Sequence, residues 1–290
     1  MLTLSFKVEN KEKVNNREKR KVIAEETLTI IENGFFISPN GKRIDINEAQ
    51  IIAESETKVY SPSESDKLIN KSNFEMLEKA CEISVTDQTT LDATRALIKE
   101  GYENVLCLNF ASAKNPGGGF LGGSQAQEES IARSTGLYSC QLNASEYYEV
   151  NRKTKSCIYT DYMIYSPNVP IFKNEDGINL EELTCCGIIT APAVNAGVVK
   201  SREPERIDEI EEIMKRRIRK VLAISLEYGH RSIVLGAWGC GVFRNDPKDV
   251  ARYFREILET SYENKFEKIV FAIYGRDERF INPFYDEFGR

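Results

Sequence analysis

The stretch from Asn109 to Tyr138, NFASAKNPGGGFLGGSQAQEESIARSTGLY, holds the densest pattern of residues that could do chemistry. Its glycines, Gly117, Gly118, Gly119, Gly122 and Gly123, would each cost ~0.5–1 kcal/mol inside a helix or strand, so the segment reads as a loop in which something approaches the backbone closely. A glycine-rich loop that runs into a helix presents unpaired N–H groups at the positive end of the helix dipole, and such a surface holds a phosphate or diphosphate without lysines. A plain tight turn packed on a neighbour is the other reading of the same residues. Gln127-Glu128-Glu129 opens the helix that follows. Glutamates in a first turn complement the dipole on a solvated face, but here two adjacent carboxylates begin a helix beside the loop. The pattern is neither a dinucleotide fingerprint nor a P-loop, since no Gly-Lys-Ser/Thr follows.

A second glycine loop, LGAWGCGVFRNDP at 235 to 247, follows an apolar run and precedes another helix. Asp246 suits that helix's cap and Pro247 its first turn. Two such loops after strand C-termini can close on one diphosphate from two sides, with Phe243 lining a sugar; as an isolated residue Phe243 reads more readily as core.

Composition narrows the chemistry further. The chain has a single histidine, His230, which leaves no His pair for a zincin site and disfavours a Ser-His-Asp triad. The seven cysteines form no C-x-x-C pair and mostly sit in apolar runs, which reads as reduced thiols in a cytoplasmic compartment. Cys185-Cys186 is expected to be buried in a strand. With 39 Lys and Arg against 45 Asp and Glu, net charge −6, general nucleic-acid binding is not expected, and a polyanion would have to be held locally. No apolar run approaches the ~18 residues of a membrane span, and MLTLSFKVENKEK has no long apolar leader core.

These residues need a frame. REKRKVIAEETLTII at 17 to 31 spaces its apolar residues as a helix with a basic start, Asn33-Gly34 ends it, and FFISPNGKRIDI reads as a hairpin. The polar SPSESDK at 61 to 67 reads as a connection, so residues 1–75 form an N-terminal helical and β extension packed on a domain of residues 76–290. From about residue 80, strand-like runs alternate with helices: Ile83 to Val85, LDATRALIKEG, Asn104 to Phe110, a helix from about Glu128, DYMIYSPNVPIF, CCGIITAPAV, SIVLGAW and KIVFAIYG. This predicts an α/β fold, a mixed sheet with helices on both faces. The helix EPERIDEIEEIMKRRIRK, acidic then basic, reads as a solvated face, and Tyr147, Tyr148, Tyr159, Tyr162 and Tyr165 as packing residues.

GGG, seven residues from Phe120 to Ala126, then QEE resembles the signature of poly(ADP-ribose) glycohydrolases, most closely the bacterial type. YSPNVPIF, ITAPAVNAG and VLGAWGCGVFRNDP extend the resemblance from roughly Arg17 to Phe280. It implies a macrodomain-like three-layer α/β/α fold and exo-acting hydrolysis of ribose–ribose O-glycosidic bonds. In that reading Glu129 is the general acid and then the base, Glu128 hydrogen-bonds the ribose, and Gln127 helps position the site. Gly117, Gly118 and Gly119 would approach the diphosphate and sugar, while Gly239, Cys240, Gly241 and Val242 form the other phosphate loop and Phe243 packs on the distal ribose. Asn109 and Asn115 are both candidates for the asparagine near the GGG, and Thr86, Asp87 or a neighbour in VTDQTTLDA for the adenine contact. The implied partners are poly(ADP-ribose), ADP-ribose and ADP-ribosylated proteins, with no metal or cofactor. A non-catalytic ADP-ribose reader, or a hydrolase of mono-ADP-ribosyl groups on protein or nucleic acid, would share both loops.

Overall fold

Strand and helix periods sort the chain into nine strands and eleven α-helices among the described residues. The structure is a computed structural model and describes residues 16–71, 74–275 and 277–289; the opening 13 residues read above for a leader lie outside them. The N-terminal region supplies α1 (Asn16–Asn33), β1 (Phe35–Ile37), β2 (Arg43–Asp45), α2 (Asn47–Ser55), β3 (Lys58–Tyr60) and α3 (Pro62–Asn70). Next come β4 (Glu82–Thr86), α4 (Thr90–Lys99), β5 (Leu106–Phe110), α5 (Gln127–Ser134), α6 (Leu137–Asn143) and α7 (Ser145–Lys153). The remainder is β6 (Met163–Lys173), β7 (Asn179–Ala191), α8 (Ala196–Arg202), α9 (Ile210–Glu227), β8 (Ser232–Leu235), α10 (Pro247–Ser261), β9 (Lys268–Ala272) and α11 (Glu278–Phe288).

Seven strands make one mixed sheet in the order β3-β6-β7-β5-β8-β9-β4. Strands β7, β5, β8, β9 and β4 run parallel, while β6 is antiparallel to both β7 and β3. Apolar side chains leave the central strands in both directions, which sets the layering. Leu106, Leu108, Ile233, Leu235, Ile269 and Phe271 pack with α9, α10 and α11 on one face. Cys107, Val234, Val270 and Ile188 pack with α2, α4, α5 and α6 on the other. Both glycine loops leave the C-terminal ends of neighbouring strands, β5 and β8, the edge at which open α/β sheets bind ligands.

Two expectations need correction. SPSESDK is not a connection but the start of α3, because Ser-Pro-Ser-Glu is a capping box that polar composition disguises. Ser61 Oγ accepts from Glu64 N at 3.3 Å, and Glu64 Oε2 accepts from Ser61 N at 3.0 Å. Just before it, Lys58–Tyr60 joins the main sheet as the edge strand beside β6, so the N-terminal region completes the sheet as well as packing on it.

The acidic-then-basic helix is also not simply a solvated face. It begins as a 3-10 turn at Pro204–Glu209, and its basic half buries Arg217 and Lys220 completely. Both converge on Asp161: Arg217 Nε lies 2.8 Å from Oδ1, and Lys220 Nζ 3.5 Å from Oδ2. Arg216 Nε adds a contact at 2.5 Å. Lys220 also reaches Asp66 of α3 at 2.8 Å and the Pro62 carbonyl at 3.0 Å, fastening the N-terminal region to α9.

The sole histidine is held structurally. His230 is buried, its Nε2 2.8 Å from the Tyr165 hydroxyl and its Nδ1 2.6 Å from the Asn104 carbonyl, and burial lowers its pKa. Of the seven cysteines, none forms a disulfide; Cys186 is buried as expected, whereas Cys185 is half-buried. No described helix is long and apolar enough to cross a membrane.

Asp161 is the charge on which this packing turns. Burial alone would raise its carboxyl, but Arg217 and Arg216 outweigh that and hold it at about 2, below the usual 3.8. The stability it supplies is complete above pH 3.8 and lost as pH falls toward 2. Asp161→Asn leaves buried Arg217 without its carboxylate and Lys220 with only Asp66, and is expected to cost ~3–5 kcal/mol at pH 7. Urea unfolding at pH 7 and near pH 3 should show the difference from wild type shrinking as pH falls.

Candidate active site

The site is built around the first turn of α5. Its cap residue, Ala126, has no side chain to bond the first-turn amides, so the positive end of the helix opens toward the cleft. Gln127 locks that end in place. Its Nε2 donates to the Leu108 carbonyl at 2.8 Å and to Thr90 Oγ1 at 3.0 Å, and its Oε1 accepts from Phe110 N at 2.8 Å. Both amide protons are used, so Gln127 ties α5 to β5 and α4 as an internal strut.

The two glutamates differ in what their oxygens meet. Glu128 is buried, and its partners are all donors: Ser112 N at 2.6 Å on Oε2, with Gln141 Nε2 at 3.2 Å and Asn109 Nδ2 at 3.3 Å on Oε1. Burial pushes its carboxyl up to about 8, the three donors acting against it. Glu129 is half-buried; its Oε1 accepts from Gly119 N at 2.9 Å, while its Oε2 meets no donor among the described residues. One carboxylate oxygen is thus left for a ligand.

The triple glycine differs from the sequence expectation. Its amides are not open for an anion: Gly117 N donates to Gln141 Oε1 at 2.8 Å, Gly118 N to the Asn115 carbonyl at 3.0 Å and Gly119 N to Glu129. The close approach that demands glycine is to the carboxylates. Gly118 has φ +58°, and a Cβ there would stand 2.5 Å from Glu129 Oε1 and 3.1 Å from Glu128 Oε2. Asn115 is exposed and serves the loop through its carbonyl; the buried asparagine is Asn109. Beyond the glycines, three guanidinium groups hold three consecutive carbonyls: Arg17 on Gly122, Arg20 on Gly123 and Arg133 on Ser124, each at 2.8 Å. Two of those arginines come from α1.

The second loop is the one with free donors. Asn245 braces it, its Nδ2 bonding the Val194 carbonyl at 2.8 Å and the Gly239 carbonyl at 3.0 Å. The amides of Gly241, Val242 and Phe243 meet no acceptor among the described residues. A Cβ on Gly241 would meet nothing within 4 Å, and Val242 is 79% exposed. Cys240 lies within this loop with its thiol buried, and its amide donates to the Ala237 carbonyl at 3.1 Å. Phe243 lies 5.9 Å from the Tyr159 ring, centroid to centroid.

Between the loops runs a cleft of about 490 Å³, lined by Gln127, Gly239, Gly241, Val242 and Phe243 and, on an apolar wall, by Ile273 and Tyr274. Such a volume suits one nucleotide-sized ligand. From the VTDQTTLDA segment it is Gln88, Thr89 and Thr90 that face this cleft. The Asp87 carboxylate instead accepts from Gly275 N at 2.9 Å. Glu129 and the triple glycine are not among the residues that line this cleft. Among the described residues no three His, Cys, Asp or Glu cluster as metal ligands.

Residues 24–174 match the microbial-type PARG catalytic domain, PARG being poly(ADP-ribose) glycohydrolase. The crystal structure of the Thermomonospora curvata enzyme is similar at a TM-score of 0.90 and 37% identity, over 93% of this chain and 100% of that one. The chain belongs to the microbial-type poly(ADP-ribose) glycohydrolase family. The same relative bound to the inhibitor ADP-HPD gives a TM-score of 0.85 at 37% identity, covering 93% and 98% of the two chains. The Deinococcus radiodurans poly(ADP-ribose) glycohydrolase in complex with ADP-ribose gives 0.78 at 41% identity, covering 82% and 96%. No curated protein sequence matches the chain.

In this glycohydrolase-family site, Gln141, Asn245 and Arg20 are the residues that sequence reasoning missed. A lone glutamine in LYSCQLN carries no pattern, and Arg20 is one cation of a basic helix start; only their partners distinguish them.

The two loops should respond oppositely to a methyl group. Gly118→Ala forces a left-handed residue, a strain of ~1–2 kcal/mol, and pushes on Glu129; thermal unfolding should register the loss. Gly241→Ala meets no protein atom, and its stability should stay within ~0.5 kcal/mol of wild type.

Proposed function

We propose that the chain hydrolyses poly(ADP-ribose) from the polymer end, releasing ADP-ribose, with Glu129 as the acid and then the base. The fold is of macrodomain type, and the polymer would be carried on ADP-ribosylated proteins. The observation that carries the assignment of the acid is the unpartnered Oε2 of Glu129 beside a Glu128 whose two oxygens are both engaged.

The diphosphate of the terminal unit lies against the open amides of Gly241, Val242 and Phe243 and the uncapped start of α5. Anion binding by backbone donors reconciles a polyanionic substrate with a net charge of −6. Phe243, steadied by Tyr159, packs on the sugar, and Tyr274 lies on the wall that would receive the base. Glu128, surrounded by donors, remains an acceptor and takes a hydrogen bond from a ribose hydroxyl.

Glu129 gives its proton to the oxygen leaving the scissile C–O bond. The bonding pair departs with that oxygen, which becomes a hydroxyl on the shortened polymer. The oxocarbenium-like ribose is stabilised by its own diphosphate, and the ionised Glu129 takes a proton from the water that adds to C1. The reaction needs a carboxyl that first gives a proton and then takes one, so activity should fall on either side of a pH optimum.

Glu129→Gln keeps the size and the bond from Gly119 but has no proton to give. With automodified poly(ADP-ribose), ADP-ribose release measured by chromatography should fall ~100-fold or more, while calorimetric affinity for ADP-ribose stays within a few-fold. Gly241→Ala should instead weaken ADP-ribose binding. A ladder of free oligomers at early times would overturn release from the polymer end, and binding without release by the wild type would overturn hydrolysis.

A further inference from the structure

One buried amide joins the two halves of the catalytic loop. Gln141 on α6 is fully buried, and its side chain meets a donor on one side and an acceptor on the other. Its Oε1 accepts from Gly117 N at 2.8 Å, and its Nε2 donates to Glu128 Oε1 at 3.2 Å. A backbone N–H can only donate, so Gly117 fixes the Gln141 oxygen on its side and turns the amide nitrogen to Glu128.

The other side-chain donor to Glu128 is less constrained. Asn109 Nδ2 is shared between Glu128 at 3.3 Å and Thr190 Oγ1 at 3.2 Å, and its Oδ1 is buried with no partner. Nothing on the oxygen side locks Asn109, whereas Gly117 locks Gln141. Gln141 is therefore the side chain that sets both where Glu128 sits and what it faces.

We propose that Gln141 is a positioning residue of the reaction: its oxygen holds the first glycine of the loop, and its nitrogen holds Glu128 as an acceptor for the ribose hydroxyl. The inference rests on the glycohydrolase reading above. Burial pushes the Glu128 carboxyl up to about 8 against the pull of its donors, so each donor lost moves its titration higher. The ionisable groups that act on it, or that it acts on, are Glu129, Tyr147 and Tyr148, none of them a cation.

Two variants separate the halves of the amide. Gln141→Glu keeps an acceptor for Gly117 and deletes the donor to Glu128; Gln141→Met deletes both. In each, kcat on poly(ADP-ribose) should fall ~10-fold or more near neutral pH, with KM and ADP-ribose affinity within a few-fold of wild type. The acid limb of the kcat profile should move up by ~1 pH unit. The Glu128 carboxyl midpoint, followed by carbon-13 NMR and independent of turnover, should move the same way. An unshifted Glu128 midpoint in both variants overturns the proposal, as does a uniform loss of kcat with the limb in place, which is what packing alone would produce. A midpoint shifted in the variants, with no ADP-ribose released by the wild type, would leave Gln141 as the holder of Glu128 and count against the glycohydrolase reading instead.

Discussion

The site depends on a single steric allowance, the absence of a side chain at Gly118. The backbone there is left-handed, and the space a Cβ would take is occupied by the carboxylates of Glu128 and Glu129. Because the loop can lie this close, Gly119 N reaches Glu129 and holds one of its oxygens while the other stays open. Most other features of the site serve to keep that approach in register. Gln127 fixes the start of α5 against β5, Gln141 spans from Gly117 to Glu128, and the arginines of α1 and α5 hold the carbonyls at Gly122, Gly123 and Ser124.

The two glycine loops, alike in sequence, have divided the work. The loop after β5 spends its glycine amides on the protein and delivers carboxylates. The loop after β8 keeps the amides of Gly241, Val242 and Phe243 open and can receive an anion. Adjacent parallel strands bring the two loops to one edge of the sheet. In the proposed reading, recognition of a polyanion by local backbone dipoles is compatible with a net charge of −6.

The N-terminal region is structurally inseparable from this arrangement. Strand β3 completes the sheet edge, α3 is tied to α9 through Lys220 and Asp66, and α1 lays Arg17 and Arg20 on the glycine loop after β5. The family match likewise begins inside α1 and runs through residue 75 without a break. Two buried cations on α9 are tolerated because Asp161 and main-chain carbonyls surround them, so their desolvation is offset by ionic hydrogen bonds.

Much of this was legible without coordinates. Apolar periodicity marked the main strands and most of the longer helices, and the glycine and glutamate spacing marked the loop and the carboxylates, because both signals are local in the chain. Local signals failed at α3, where a capping box looked like a polar linker, and at the basic half of α9, where charge looked like exposure. Which asparagine matters, and what the triple glycine is for, could not be read from NFASAKNPGGG. Those answers depend on which groups lie across from each backbone N–H, and Gln141, Glu129 and Arg20 reach the loop from positions set by the packing of α6, α5 and α1. The sequence by itself determined the fold class and the local pattern of glycines and glutamates. Only the tertiary structure decided which donors and acceptors are already satisfied and which remain for a substrate, since hydrogen-bond pairing between distant segments is a property of packing and not of residue type.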